Sequence, residues 1–262
     1  MHDELLEDIA QNNGLREVNT WVKLAAGLGC ILLCLLSGSW VAPLFIGVVL
    51  SGTVLILARI KPRIYFEIFI APFTFAFTSV VVIVLVTGGS GVFWSWDPFP
   101  WLSLSVTRES INEAVFVFSR VIGGMSAMIF IALTTPMTDL FVVMRQCRVP
   151  EPVVDLAMFI YRSIFLILDQ LVLTYRAQVM RLGYGSFRES VRSFATLCGS
   201  VFITSWGAGE DLIRAMDARC YEGKFAIMGE SNRPKALPVL ALCSFFITTV
   251  LLLILTKDFT VI

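Results

Sequence analysis

The 262-residue sequence predicts an all-α integral membrane protein. It has about five transmembrane helices, with amphipathic helices at the cytoplasmic face between the fourth and fifth. Three observations predict this. Hydrophobic residues make up 57% of the chain and charged residues 15%, and the mean hydropathy of +0.82 is far above that of soluble domains. Leu24–Ala58, Ile68–Thr87 and Ala236–Thr256 carry no charge, and a helix crosses a bilayer with about 20 such residues. Finally, residues 134–235 hold 12 of the 20 Lys and Arg and 10 of the 20 Asp and Glu, so a charged module interrupts hydrophobic ones.

Residues 1–17 read as a soluble tail. They are acidic and lack the basic n-region of a cleavable signal peptide. The one histidine, His2, lies there and reads as part of a mobile tail in preference to a metal ligand. Membrane helices one to four occupy 18–133. The first covers Val18–Leu36, with Lys23 near its start placed to snorkel to headgroups. "SGS" at 37–39 separates it from the second, Trp40–Ala58. "RIKPR" at 59–63 makes a tight basic turn. The third runs over Tyr65–Thr87 and tolerates Pro72. Residues 88–107 read as a Gly/Pro/Trp-rich loop whose Trp94, Trp96 and Trp101 suit a membrane–water interface. The fourth starts near Thr107 and ends at "TTP". The last span, with the C-terminal tail, occupies 236–262. The basic turn at 59–63 and the loop at 88–107, which has no Lys or Arg, place the turn in the cytoplasm and the loop outside. The N-terminus and the 134–235 module are then cytoplasmic.

Arg120 falls inside the fourth span. A charge at mid-membrane costs about 2.5–3.5 kcal/mol and should face protein. A charge lining a conducting path is one reading. A structural pair with Glu67 or Glu113 is the preferred one. Gly123 and Gly124 beside it allow close helix packing.

The module opens with "TTPMTDL", where Thr135 suits an N-cap, Pro136 the first helical position and Asp139 the first turn. A long helix follows, Glu151–Leu182. Its Asp155, Arg162, Asp169 and Arg176 recur every seven residues and so share one stripe. Alternating sign favours mutual pairing or a partner of complementary charge. A helix lying at the interface holds these charges at lower cost than a sixth span would. Gly183 and Gly185 supply its stop. Another apolar segment covers 191–205, and "EDLIRAMDARCYEGKF" forms a further helix ended by Gly223. Both long helices close on one pattern, "AQVMRLGY" and "AMDARCY". Each places an arginine, Arg181 or Arg219, beside a helix end among small or apolar residues, with Tyr184 or Tyr221 after it. Such an arginine suits a partner's carboxylate. It also suits the carbonyls of its own helix C-terminus. Two matching settings favour docking.

"SRVIGGMSAMIFIALTTPMTDLFVVMRQCRVP", "YRSIFLILDQ", "RAQVMRLGY" and "AMDARCYEG" resemble the transmembrane T component of energy-coupling factor (ECF) transporters, nearest to the cobalt-type CbiQ branch. "LREVNTWVKL" also fits how those proteins enter their first span. The resemblance covers residues 14–256. It implies a non-catalytic scaffold whose two coupling helices end in Ala-Arg-Gly-like motifs that dock in grooves of two ABC-type ATPase subunits. Here the motifs correspond to Met180-Arg181-Leu182 and Ala218-Arg219-Cys220, both departing from a strict Ala-Arg-Gly. The resemblance further implies a separate substrate-binding membrane subunit, with or without a small accessory membrane subunit, in the cell membrane of a prokaryote. ATP and Mg belong to the ATPases, so this chain needs no cofactor. The metal belongs to the substrate subunit, and cobalt is the expected cargo, with nickel or a vitamin as alternatives.

Other classes fit poorly. Six scattered cysteines without CxxC argue against disulfides or a metal cluster. A membrane enzyme acting on lipid phosphates needs clustered carboxylates for Mg²⁺, and adjacent acidic pairs occur only at 3–4, 7–8 and 210–211. A stand-alone channel lacks a repeated polar stripe in the spans. Nucleic-acid binding lacks a basic excess.

Overall fold

A computed structural model describes residues 9–86, 92–99, 102–221 and 236–256. His2, Trp101, Gly223 and the C-terminal residues after 256 lie outside the described residues. The chain divides into two compact units, Met1–Leu140 with Glu230–Ile262, and Phe141–Gly229.

The first unit contains α1 (Thr20–Leu36), α2 (Val41–Gly52, continued by a π-helical turn Thr53–Leu57), α3 (Pro62–Val86), β1 (Val92–Phe99), β2 (Leu102–Thr107), α4 (Arg108–Thr134), the start of α5 (Met137–Gln146), and α8 (Ala236–Leu255). Asn19 caps α1 by accepting from the Trp21 amide at 2.8 Å. Pro62 occupies the first position of α3, where its missing N–H costs nothing. Thr107 starts α4 through a capping box with Ser110. The 88–107 segment differs from the loop expected: β1 and β2 pair antiparallel, with Trp94 opposite Val106 and Trp96 opposite Leu104. "VFWSW" and "LSLSV" supply the aromatic and β-branched residues that suit a pleated ribbon.

α4 is the hub of this unit and packs on α1, α2 and α3. Cys30 and Cys34 of α1, Ile46 and Leu50 of α2, Val54, and Ala127, Phe130 and Leu133 of α4 form the buried core. Close approach depends on Gly123. A Cβ there would lie 2.5 Å from the Pro43 carbonyl oxygen and 2.8 Å from Cys34 Sγ. Gly124 has only open space at the same test, so the packing role expected for both glycines belongs to Gly123 alone.

Arg120 is held, but not by an acid. Its Nη2 donates to the Ser37 carbonyl at 2.7 Å, and its guanidinium carbon lies 4.4 Å from the Phe116 ring centroid. Ser37 caps the C-terminus of α1, so the negative end of a helix and an aromatic face stand in for a carboxylate. Glu67 instead pairs with Arg63 at 3.2 Å, and Glu113 is exposed. Lys23 likewise does not snorkel. It is buried, and its Nζ donates to the Thr134 carbonyl at 2.9 Å. Asn13 Nδ2 adds bonds to the Leu133 and Thr134 carbonyls, both at 3.3 Å. Together they satisfy the orphan carbonyls at the end of α4. Thr135 closes α4, its amide bonding the Ile131 carbonyl, and does not cap α5. The first α5 bonds run to Pro136 instead. Asp139 is in the first turn of α5 and accepts from Thr20 Oγ1 at 3.3 Å.

Among the described residues, four helical stretches are long and apolar enough to cross a bilayer: Pro62–Leu85, Arg108–Thr134, Glu151–Met180 and Pro238–Leu255. Thr20–Leu36 and Val41–Leu57 are apolar but shorter. Length and composition thus single out the Glu151–Met180 helix and leave the first two expected spans short of about 20 residues.

The second unit holds the end of α5, α6 (Glu151–Met180) and α7 (Phe187–Asp217). α7 is one helix of 31 residues. The apolar segment 191–205 and the charged helix expected after it are continuous. Gly207 and Gly209 each cost about 1 kcal/mol relative to alanine, which a helix this long absorbs. Ser186 caps its start.

Candidate functional site: two helix ends of one design

The expected docking motifs have the same backbone. At the end of α6 the Gly183 amide bonds the Gln178 carbonyl at 3.0 Å and the Leu182 amide bonds Val179 at 3.0 Å. At the end of α7 the Tyr221 amide bonds Met216 at 3.1 Å and the Cys220 amide bonds Asp217 at 3.0 Å. Both are Schellman closures, six-to-one and five-to-two. In each, the arginine is the last residue before the left-handed position. Leu182 has φ 58° and Cys220 has φ 55°. The left-handed residues are therefore the ones where the resemblance expects glycine, and neither Gly183 nor Gly185 makes the turn itself. This gives a physical reason for glycine at the third motif position: without a Cβ it takes positive φ freely.

Glycine at Leu182 or Cys220 removes a left-handed backbone cost and adds unfolded-state freedom, for a net gain of about 0.5–1 kcal/mol. Amide exchange in the last turn of α6 or α7 then slows by about two- to fivefold in Leu182→Gly or Cys220→Gly. Leu182→Val accelerates it. Hydrogen exchange read by mass spectrometry distinguishes these outcomes.

Arg181, Leu182, Ala218, Arg219 and Cys220 are all exposed, and neither arginine has an ion-pair partner among the described residues. The turn after Arg181 is braced from behind. Ser193 Oγ donates to the Gly183 carbonyl at 2.7 Å, Gln178 Nε2 donates to the Ser193 carbonyl at 3.1 Å, and the Tyr184 hydroxyl donates to Gln178 Oε1 at 2.8 Å. A Cβ on Gly183 would lie 2.7 Å from Ser193 Oγ. Gly183 therefore provides room for α7 to return against the turn. Gln178 and Ser193 were not expected as part of the site. They stand 15 residues apart, on different helices, and carry no sequence motif.

α6 has 30 residues, a length of about 45 Å at 1.5 Å per residue. Arg181 stands at its far end. Tyr221, beside Arg219, lies within electrostatic reach of Asp155 in the first turns of α6: desolvation and the Asp155 carboxylate push its phenol up. The two arginine ends thus sit at opposite ends of the α6–α7 pair.

The charge stripe on α6 does not pair with itself. Neighbours on it are seven residues, about 10 Å, apart along the axis. Asp155 is buried and accepts from Arg145 Nη2 at 2.6 Å. Arg162, Asp169 and Arg176 are exposed and have no ion-pair partner among the described residues. Arg145 lies ten residues before Asp155, across a proline turn and on another helix, so the seven-residue repeat along α6 does not reveal it. Among the described residues there is no group of three His, Cys, Asp or Glu able to hold a metal ion.

The fold defines a helical integral membrane protein, and its exposed features are two matched arginine-bearing helix ends. A family model described as cobalt transport protein (CbiQ) matches residues 11–228; the chain belongs to the CbiQ family. It is 35% identical over 93% of its length to a protein of Methanocorpusculum labreanum assigned as a fused cobalt transport protein CbiMQ, of which it spans 41%. It is 32% identical over 99% of its length to an uncharacterized protein of Methanocaldococcus jannaschii, of which it spans 96%. It is also 30% identical, over 58% of each chain, to the energy-coupling factor transporter transmembrane protein EcfT of Ruminiclostridium cellulolyticum. The chain is thus similar to transmembrane components of energy-coupling transporters.

Proposed function

We propose that this chain is the transmembrane scaffold of an ECF-type importer for cobalt ion. It couples ATP hydrolysis by two cytoplasmic ATPase subunits to movement of a substrate-binding membrane subunit. The observation that carries this reading is the pair of like helix ends. Each presents an exposed arginine at a rigid Schellman closure, and the two stand about one α6 length apart. A guanidinium held there offers a carboxylate two parallel donors. Two like ends suit two like ATPases. ATP and Mg are bound by those subunits and the metal by the substrate subunit, so the chain itself catalyses nothing. The chain is also similar to a protein named for energy coupling in general, EcfT, and the same role for nickel or a vitamin is the second reading.

In this reading α1, α2, α3, α4 and α8 cross the cell membrane with the N-terminus in the cytoplasm. α6 and α7 lie at the cytoplasmic interface. Supporting this, Arg162, Asp169 and Arg176 would each cost about 2.5–3.5 kcal/mol at a bilayer centre, whereas an interfacial helix keeps them wet.

The test is affinity purification of the tagged chain from its own host in mild detergent. We expect two ATPase subunits and a further membrane subunit to co-purify, and vesicles containing that complex to accumulate cobalt on ATP hydrolysis. A chain that purifies alone and turns over a lipid phosphate would contradict the reading.

A further inference from the structure

α5 and α6 are joined by only four residues, Cys147–Pro150. That backbone is a natural place to bend. α5 ends in a Schellman closure, with the Val149 amide on the Met144 carbonyl at 3.2 Å and the Arg148 amide on Arg145 at 3.0 Å. Arg148 takes the left-handed conformation, φ 61°, and Pro150 follows in an extended conformation before the first turn of α6. Among the described residues no backbone hydrogen bond continues from one helix axis to the other. Whatever keeps the angle between the end of α5 and the root of α6 is side-chain contact.

Three such features are seen among the described residues. The Phe141 and Tyr161 rings meet edge to face with centroids 5.9 Å apart. Val143 and Val154 are buried. At the apex, Arg145 Nη2 donates to Asp155 Oδ1 at 2.6 Å, and the Asp155 side chain is only 4% exposed. A buried carboxylate in an apolar joint is a poor way to gain stability alone, since desolvating two charges offsets much of their attraction. It is directional, however, and it holds one geometry where apolar contacts would slide. Asp155 Oδ2 is buried and makes no hydrogen bond among the described residues, so half of this acceptor is still available. Tyr221, which closes the Arg219 end of α7, feels the same carboxylate. One buried acid thus joins the end of α5 to the root of α6, with the Arg219 end of α7 within its electrostatic reach.

We propose that Asp155 is a positioning residue that, through Arg145, locks the end of α5 to the root of α6. A force applied at the arginine ends then turns this elbow as one body and is not lost in bending at Arg148–Pro150. The inference rests on the ATPase-docking reading above. It assigns a role to a residue that touches neither ATP nor substrate nor, on that reading, the ATPase grooves.

The experiment uses the full complex, with ATPase and substrate-binding subunits, in proteoliposomes. Three quantities are read: ATPase co-purification, ATP hydrolysis, and uptake of labelled cobalt. In Asp155→Asn, co-purification stays at the wild-type level and hydrolysis within about twofold, while uptake per ATP falls at least about tenfold, the size of a typical coupling energy. The exchange variant, Arg145→Asp with Asp155→Arg, recovers most of that loss. It also decides the matter if Asp155→Asn does not accumulate in the membrane. Unchanged uptake per ATP in Asp155→Asn overturns the inference. So does an exchange variant that assembles and hydrolyses ATP but transports no better than the single variant. Loss of assembly in Asp155→Asn that the exchange does not repair overturns it as well, because the pair would then be merely structural. If the wild-type chain itself fails to bring down ATPases, it is the docking reading that has failed, and this comparison keeps the two apart.

Discussion

Reversing both arginines, Arg181→Glu with Arg219→Glu, abolishes ATPase co-purification and uptake while the chain still inserts and folds. Both side chains are exposed and make no ion pair among the described residues, so the fold loses little, within about 0.5 kcal/mol for an ordinary surface change. The cost falls on the partners. Placing a carboxylate where a groove receives a guanidinium costs about 2–5 kcal/mol at each buried charged contact. Two such losses lower affinity by at least about a thousandfold. Each single reversal gives an intermediate loss, and Arg→Lys keeps the charge but gives up the bidentate fork. Pull-down from solubilised membranes checks this, with size-exclusion profiles confirming the fold. Normal complex yield from the double variant removes the docking claim.

Gly123→Val is expected to prevent accumulation of folded protein, while Gly124→Val is tolerated. The neighbours of a side chain at 123 are the Pro43 carbonyl oxygen, at 2.5 Å from a Cβ, and Cys34 Sγ at 2.8 Å. The first is backbone and cannot swing aside. Inserting atoms into a packed interior costs about 1–3 kcal/mol even where side chains adjust. Here α4 must move off α2, and much of the core loosens with it. At 124 nothing lies within 4 Å. Thermal unfolding in detergent, read as loss of the monodisperse peak, separates the two variants. Equal behaviour would mean that the α2–α4 approach is looser than described.

Helix starts were legible in part because caps have a chemistry of their own, although Thr135 closes α4 and does not cap α5. Thr107 does start α4, and Asp139 does lie in the first turn of α5. Helix ends were less so. Glycine is the usual sign of a left-handed closure, yet Leu182 and Cys220 take that conformation and the neighbouring Gly183 does not. Buried cations were legible as buried but not in what holds them. Arg120 and Lys23 end on the carbonyls of Ser37 and Thr134, and a free carbonyl at a helix end has no sequence signature. The continuity of α7 was hidden because glycines at 207 and 209 look like a break when the residues beyond them cannot be weighed. The arginine pair was visible in sequence as a repeated pattern. Its common cause, one closure geometry at both ends, needed the backbone.

Photo-crosslinking tests the central claim most directly. A benzoylphenylalanine is placed at position 182 or at position 220, both exposed and each one residue beyond an arginine, and the intact complex is irradiated in native membranes. If these ends dock two ATPases, each position crosslinks to an ATPase subunit, and Arg181→Glu or Arg219→Glu suppresses the product at its own end. Crosslinks confined to lipid or to another membrane subunit, at both positions, would contradict it.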